Sequence, residues 1–170
     1  GEHLIVTYQA FDGFRTGVSA QIFTKDGYRL TDEFRINQSD DGQTQPLSVF
    51  AIGDSKFVSI STTDSKIELR EVDSTGQTLF DHSFPDSINI SNVISSNPSS
   101  IMLAGVDTNT GVSQIYTYSE SDGLTSHVIS EPYDFYDGNR VQNIKIVEHG
   151  DDGLTALFTY THVRGDPDEK

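Results

Sequence analysis

The sequence predicts an all-β protein made of repeated antiparallel four-stranded units. Three observations predict it. Short runs of strand length, several alternating apolar and polar with period two, recur from one end of the chain to the other. Clusters of Gly, Asp, Asn and Ser separate those runs, and nowhere does a sustained helical stripe appear. Composition agrees: 34% hydrophobic residues is a low share for a thick core, whereas 10% aromatics is high for a disordered chain. A thin, sheet-rich protein with one solvated face per hairpin fits both figures.

Taken in order, strands are expected at 4–11, 18–24, 33–37, 47–52, 57–61, 66–72, 79–84, 88–94, 101–106, 113–118, 125–129, 141–147 and 154–161. The stretch 65–73 mixes helical and strand periods at Ile67, Leu69 and Val72, and its flanking turns favour a strand. Three hairpin turns end on glycine: Thr24-Lys25-Asp26-Gly27, Asp73-Ser74-Thr75-Gly76 and Glu120-Ser121-Asp122-Gly123. Their glycines lie 49 and then 47 residues apart. A tight loop needs a residue that takes positive φ at little steric cost, which is the work of those glycines.

A second landmark keeps the same phase. A turn followed by an apolar strand occurs at Gly53-Asp54-Ser55-Lys56-Phe57-Val58, at Asn97-Pro98-Ser99-Ser100-Ile101-Met102, and at Asp151-Asp152-Gly153-Leu154. Its first copy is Leu4-Ile5-Val6-Thr7-Tyr8. The expected units are therefore 4–56, 57–100 and 101–153, with 154–161 as an extra strand, all within one repeat module spanning 1–170. Four strands at this period read as β-propeller-like blades, about three of them; a β-sandwich is the alternative. The chain opens on Gly1 rather than Met and runs almost at once into a strand, so it reads as a piece of a larger protein.

The first unit carries a resemblance. It runs Gly17-Val18-Ser19-Ala20-Gln21-Ile22-Phe23-Thr24-Lys25-Asp26-Gly27, then Asp32-Glu33-Phe34-Arg35-Ile36-Asn37, then Gln45-Pro46-Leu47-Ser48-Val49, then Phe57-Val58-Ser59-Ile60. This resembles the β-propeller-like repeat of very large secreted bacterial surface proteins of the RTX adhesin and haemolysin type. That repeat ends its last strand on Trp, and this chain has none. The resemblance implies a fold and a secreted or cell-surface address; it implies no chemistry.

Charge and cysteine content bound the function. With 26 acidic and 11 basic residues the formal charge is -15, which repels nucleic acids and anionic membranes. Neither a nucleic-acid partner nor membrane insertion is expected, and no apolar run reaches the length of a membrane span. The absence of cysteine removes disulfides, thiolate catalysis and Cys-ligated zinc together. Five histidines, His3, His82, His127, His149 and His162, stand on different runs with no two at ligand spacing. Ser39-Asp40-Asp41-Gly42-Gln43-Thr44 approaches a sialidase Asp-box, but its glycine is one residue early and its Trp is missing. The expectation is that the chain is not an enzyme.

Two local patterns suggest ligands. Calcium takes several oxygens from one loop, so alternating Asp/Asn with a glycine is the useful arrangement. Asp107-Thr108-Asn109-Thr110-Gly111 has it, making Asp107 and Asn109 the metal candidates, although Asp, Asn and Gly also build turns unaided. Glu131-Pro132-Tyr133-Asp134-Phe135-Tyr136-Asp137 interleaves aromatics with acids. Tyr133, Phe135 and Tyr136 can stack on sugar rings while Asp134 and Asp137 accept hydroxyl hydrogen bonds, or the same loop can hold a peptide. Phe11-Asp12-Gly13-Phe14-Arg15 has the same character.

The expected function is a structural and interaction module of a large extracellular or cell-surface protein, displaying loops for protein or glycan contact. The alternatives are a lectin-like propeller that binds carbohydrate or peptide and, further off, a fragment of a glycoside-acting propeller. Open edges at 4–8 and 154–161 lead to expected partners: other protein chains, or additional blades of the same parent.

Overall fold

A computed structural model describes residues 2–11, 13, 15–37, 44–63, 66–130, 139–149 and 153–162, and among these the side chains before residue 130 apart from 95–97. Every described regular element is a strand, and every strand pairing is antiparallel. The chain divides into two compact units, Gly1–Asp86 and Ser87–Lys170.

The first unit holds two sheets. One has the order β1-β2-β3, from β1 (His3–Phe11), β2 (Thr16–Thr24) and the two-residue β3 (Phe34–Arg35). The other is a four-stranded meander of β4 (Gln45–Ile52), β5 (Lys56–Thr62), β6 (Ile67–Asp73) and β7 (Thr78–Ser83), in that order. The second unit repeats the meander with β8 (Ile88–Asn97), β9 (Ser100–Asp107), β10 (Ser113–Ser119) and β11 (Gly123–Ser130), again neighbours in chain order. It adds a hairpin of β12 (Asn139–His149) and β13 (Gly153–His162). The fold class is thus all-β with four-stranded, blade-like units. The sheets are phased differently from the sequence period, since each meander starts on the strand before the apolar landmark at 57 or 101.

Alternation decides which faces meet. In β1 and β2 the register pairs Ile5 with Ile22 and Thr7 with Ala20, so odd positions of β1 share a face with even positions of β2. That face buries Val18, Ala20, Ile22 and Ile36 against Phe57 and Val72 of the neighbouring meander, with Ile5, Phe34 and Val49 packed at the margin. Removing each of the Val, Ile and Phe side chains from water contributes roughly 1.5–3 kcal/mol, and the Ala20 methyl less. The second unit has a smaller cluster around Ala104 and Val106, joined by Ile94, Met102, Ile115 and Ile129.

Two of the glycine turns are built alike. Thr24 and Asp73 each accept, at the main-chain carbonyl, the N–H of the glycine three residues on, at 2.9 and 3.0 Å. Each donates its own N–H to the carbonyl four residues on, at 2.8 and 3.0 Å. Each also accepts that residue's N–H on its side-chain oxygen, at 3.1 and 3.0 Å. Gly27 and Gly76 supply the required φ of 86° and 84°. The third turn differs: Gly123 opens β11 opposite Ser119, whose Oγ accepts the Asp122 N–H at 3.1 Å.

Candidate functional site

The metal candidates Asp107 and Asn109 fall together in the β9–β10 turn. There Asp107 Oδ1 accepts the main-chain N–H of Asn109 at 2.9 Å, and the Asp107 carbonyl accepts the Gly111 N–H at 2.7 Å. The Thr108 hydroxyl donates to the Ser87 carbonyl at 3.0 Å and ties the turn down. The Asn109 N–H, helped by hydroxyl donors from Ser87 and Thr110, holds the Asp107 carboxyl below the usual carboxylate range against an opposing desolvation. The carboxylate thus serves an Asx-type turn. Asp73 does the same work in the β6–β7 turn, where Oδ1 accepts from the Thr75 hydroxyl at 2.6 Å and the Thr75 N–H at 2.8 Å. Among the described residues no three His, Cys, Asp or Glu side chains gather in a way that would hold a metal ion.

The loop candidates Tyr133, Asp134, Phe135, Tyr136 and Asp137 lie outside the described residues, as do Asp12 and Phe14 of the similar stretch near residue 11.

A surface that sequence reasoning did not assemble lies on the first sheet, on the face opposite its core. The register pairs Leu4 with Phe23, Val6 with Gln21, Tyr8 with Ser19 and Ala10 with Gly17, and then Ser19 with Arg35. These residues share one face. Leu4 and Val6 are 52% and 49% exposed there, and Phe11 at the strand end is 69% exposed. A shallow groove of about 460 Å³ crosses the far end, lined by Ala10, Phe11, Gly17, Ser19, Glu33 and Arg35.

Its polar groups are positioned. The Arg35 Nε donates to Asn37 Oδ1 at 3.2 Å, and the same oxygen accepts the Val18 N–H at 2.7 Å, so a buried amide anchors the guanidinium to the sheet. Desolvation, followed by a hydrogen bond to Glu33, pushes the Tyr8 hydroxyl above its ordinary range. Gly17 keeps the groove open, because a Cβ there would stand 3.2 Å from Asn37 Oδ1 and 3.3 Å from Arg35 Nε. An aromatic wall, a fixed cation and a carboxylate suit polar, planar or apolar groups of another protein's side chains. Alternation along 33–35 is enough to put the two charges on one face, a signal the sequence analysis did not use. That they meet Tyr8 required the pairing register.

The chain, set beside known proteins, matches no family model and no curated relative. No described helix is long and apolar enough to cross a membrane.

Proposed function

We propose that the chain is a structural and interaction module of a large extracellular or cell-surface protein, in which successive blade-like sheets hold loops and sheet faces out for contact with other proteins. The observation that carries this reading is the repetition of one antiparallel meander, β4 to β7 and again β8 to β11. A repeated unit of this kind serves to space and display the segments between its strands. The resemblance of the first unit to the repeats of secreted bacterial surface proteins supports the extracellular address. The half-exposed apolar face on the first sheet supports contact with protein.

The test is a triple substitution, Tyr133→Ala, Phe135→Ala and Tyr136→Ala, assayed by thermal unfolding and on a glycan array. The module reading expects an unchanged unfolding midpoint and an array signal equally absent before and after substitution. A glycan signal lost in the triple variant would replace this reading with the lectin-like one.

A further inference from the structure

The strands β3, β7 and β11 each close one side of a sheet, and they guard that side differently. β3 is only two residues long. β7 carries an extra residue, Leu79, between Thr78 and Phe80, and Asp81 puts a charge on it. In β11 the run from Gly123 to Val128 pairs with β10 in unbroken register, and the extra residue Ile129 falls only after it. Gly123–Ser130 holds no Asp, Glu, Lys, Arg or Pro. Brevity, bulges, charge and proline are the usual devices against edge-to-edge pairing, and this run has none of them. Successive residues point to opposite faces, and Thr125, Ser126, His127 and Val128 are all exposed, Val128 at 60%. The open side belongs to the repeated unit: β11 completes a four-stranded meander, and β7 is outermost at the same place in the other one.

We propose that β11 pairs antiparallel with β11 of a second copy of this chain, about a two-fold axis at Ser126. This names a partner for the interaction reading above and rests on it. The hydrogen-bond pattern sets the register. Where β9 turns into β10, Asp107 donates its N–H to the Val112 carbonyl at 2.9 Å. Alternation from that bond puts Gln114, Tyr116 and Tyr118 in the ladder with β9, and leaves Ile115, Thr117 and Ser119 to bond β11. Their partners there are His127, Thr125 and Gly123, so the N–H and C=O groups of Leu124, Ser126 and Val128 point away from β10. A two-fold axis at Ser126 sets Ser126 opposite Ser126 and Leu124 opposite Val128, so each of these outward groups finds a partner.

Side chains select this axis over its neighbours. At Ser126 it joins the two aliphatic residues of the outward set, Leu124 and Val128, across the new ladder. An axis at Thr125 or His127 sets one of them opposite Ser126 and loses that match. The run is uncharged in a chain of formal charge -15, so no like charges face each other from Gly123 to Val128. An isologous contact of this sort closes on itself and stops at a dimer.

The experiment uses the full chain, which has no native cysteine. Sedimentation across a concentration series should reach twice the chain mass. It should fall to the monomer in Ser126→Pro, which removes an outward N–H and leaves the ladder with β10 intact, and in Val128→Lys at an exposed position. Ser126→Cys should oxidise to a covalent dimer, because its two copies face each other on the axis with Cα atoms about 5.5 Å apart, within disulfide reach. Leu124→Cys should not, since its two copies lie far apart along the ladder. A parent chain monomeric at every concentration, or crosslinking by Leu124→Cys as efficient as by Ser126→Cys, would overturn the pairing. Either result leaves the module reading to its own test at Tyr133, Phe135 and Tyr136.

Discussion

β1 and β5 are two copies of one landmark in the repeat, and they live in different surroundings. From Phe57 to Ser61 β5 buries five consecutive residues, none more than 4% exposed, so both of its faces are covered. In β1 only the face carrying Ile5 joins a core, while Leu4 and Val6 stand about half exposed at 52% and 49%. Each strand has one mainly apolar face, Leu4, Val6 and Ala10 in β1 and Val58 and Ile60 in β5, but among the described strands β5 is an inner strand of its sheet and β1 is an edge. The lesson is that stability in this chain is concentrated in the inner strands. The edge strands carry bulges, exposed apolar residues and the grooves.

Substitutions can break that contrast, and the largest effect belongs to the inner strand. Ile60→Ala should lose about 3 kcal/mol of stability in denaturant titration, since a fully buried side chain leaves a cavity. Val6→Ala on the edge should cost about 0.5 kcal/mol or less. Equal losses would erase the distinction between the strands.

The two matched turns give the next test. Gly76→Ala forces an L-residue to φ 84° and sets its Cβ 3.0 Å from the Phe34 ring, whereas Gly27→Ala meets the same backbone strain with open space around it. The expected cost is about 2 kcal/mol for Gly76→Ala and about 1 kcal/mol for Gly27→Ala. The double variant Gly76→Ala/Phe34→Ala should remove the excess caused by the ring contact. Thermal melts of Gly76→Ala, Phe34→Ala and the double variant, read as a cycle against the parent chain with Gly27→Ala as the open-space reference, check this.

Smaller still is the effect of the turn carboxylates. Asp73→Ala removes the acceptor of three hydrogen bonds in an exposed turn and should cost about 1 kcal/mol, while Asp73→Asn keeps an oxygen there and should cost less. The Thr75 hydroxyl, more than any other group, holds the Asp73 carboxyl below the usual range in the folded chain. A depressed folded pKa means that its stabilisation is complete above the ordinary carboxylate range and fades as pH falls through the folded value. Asp73→Asn should therefore flatten the acid side of the stability profile, and an unchanged profile would remove Asp73 as a contributor. Asp107→Asn should behave in the same way, with or without added calcium, if the carboxylate works only as a turn acceptor.

The strand order along the chain was legible because alternation and glycine turns are local signals. The in-phase Gly27 and Gly76 proved to close equivalent turns, and the ambiguous stretch at 65–73 became strand β6 because it lies between two antiparallel neighbours. Where a long-range partner decides, the sequence was silent. The expected strand at 33–37 is paired as strand only at Phe34–Arg35: the Ile36 N–H still donates to the Val18 carbonyl at 2.9 Å, but the Val18 N–H goes to the Asn37 side chain rather than back to the Ile36 carbonyl. The phase of the sheets depends on which strands hydrogen-bond to one another, and periodicity does not encode it. The surface joining Tyr8 and Phe11 to Glu33 and Arg35 was hidden for the same reason, since two strand registers assemble it.

The most direct test of the contrast between inner and edge strands is residue-resolved amide exchange on the chain. The account predicts the slowest exchange at Phe57–Ser61, intermediate rates at Leu4 and Tyr8, and fast exchange at His3, Ile5, Thr7 and Gln9: the Lys25 N–H bond to the Glu2 carbonyl puts the even residues of β1 in the ladder with β2, and the odd ones face away from it. Protection at Ile5 and Thr7 equal to that of Val58 and Ile60 would contradict it.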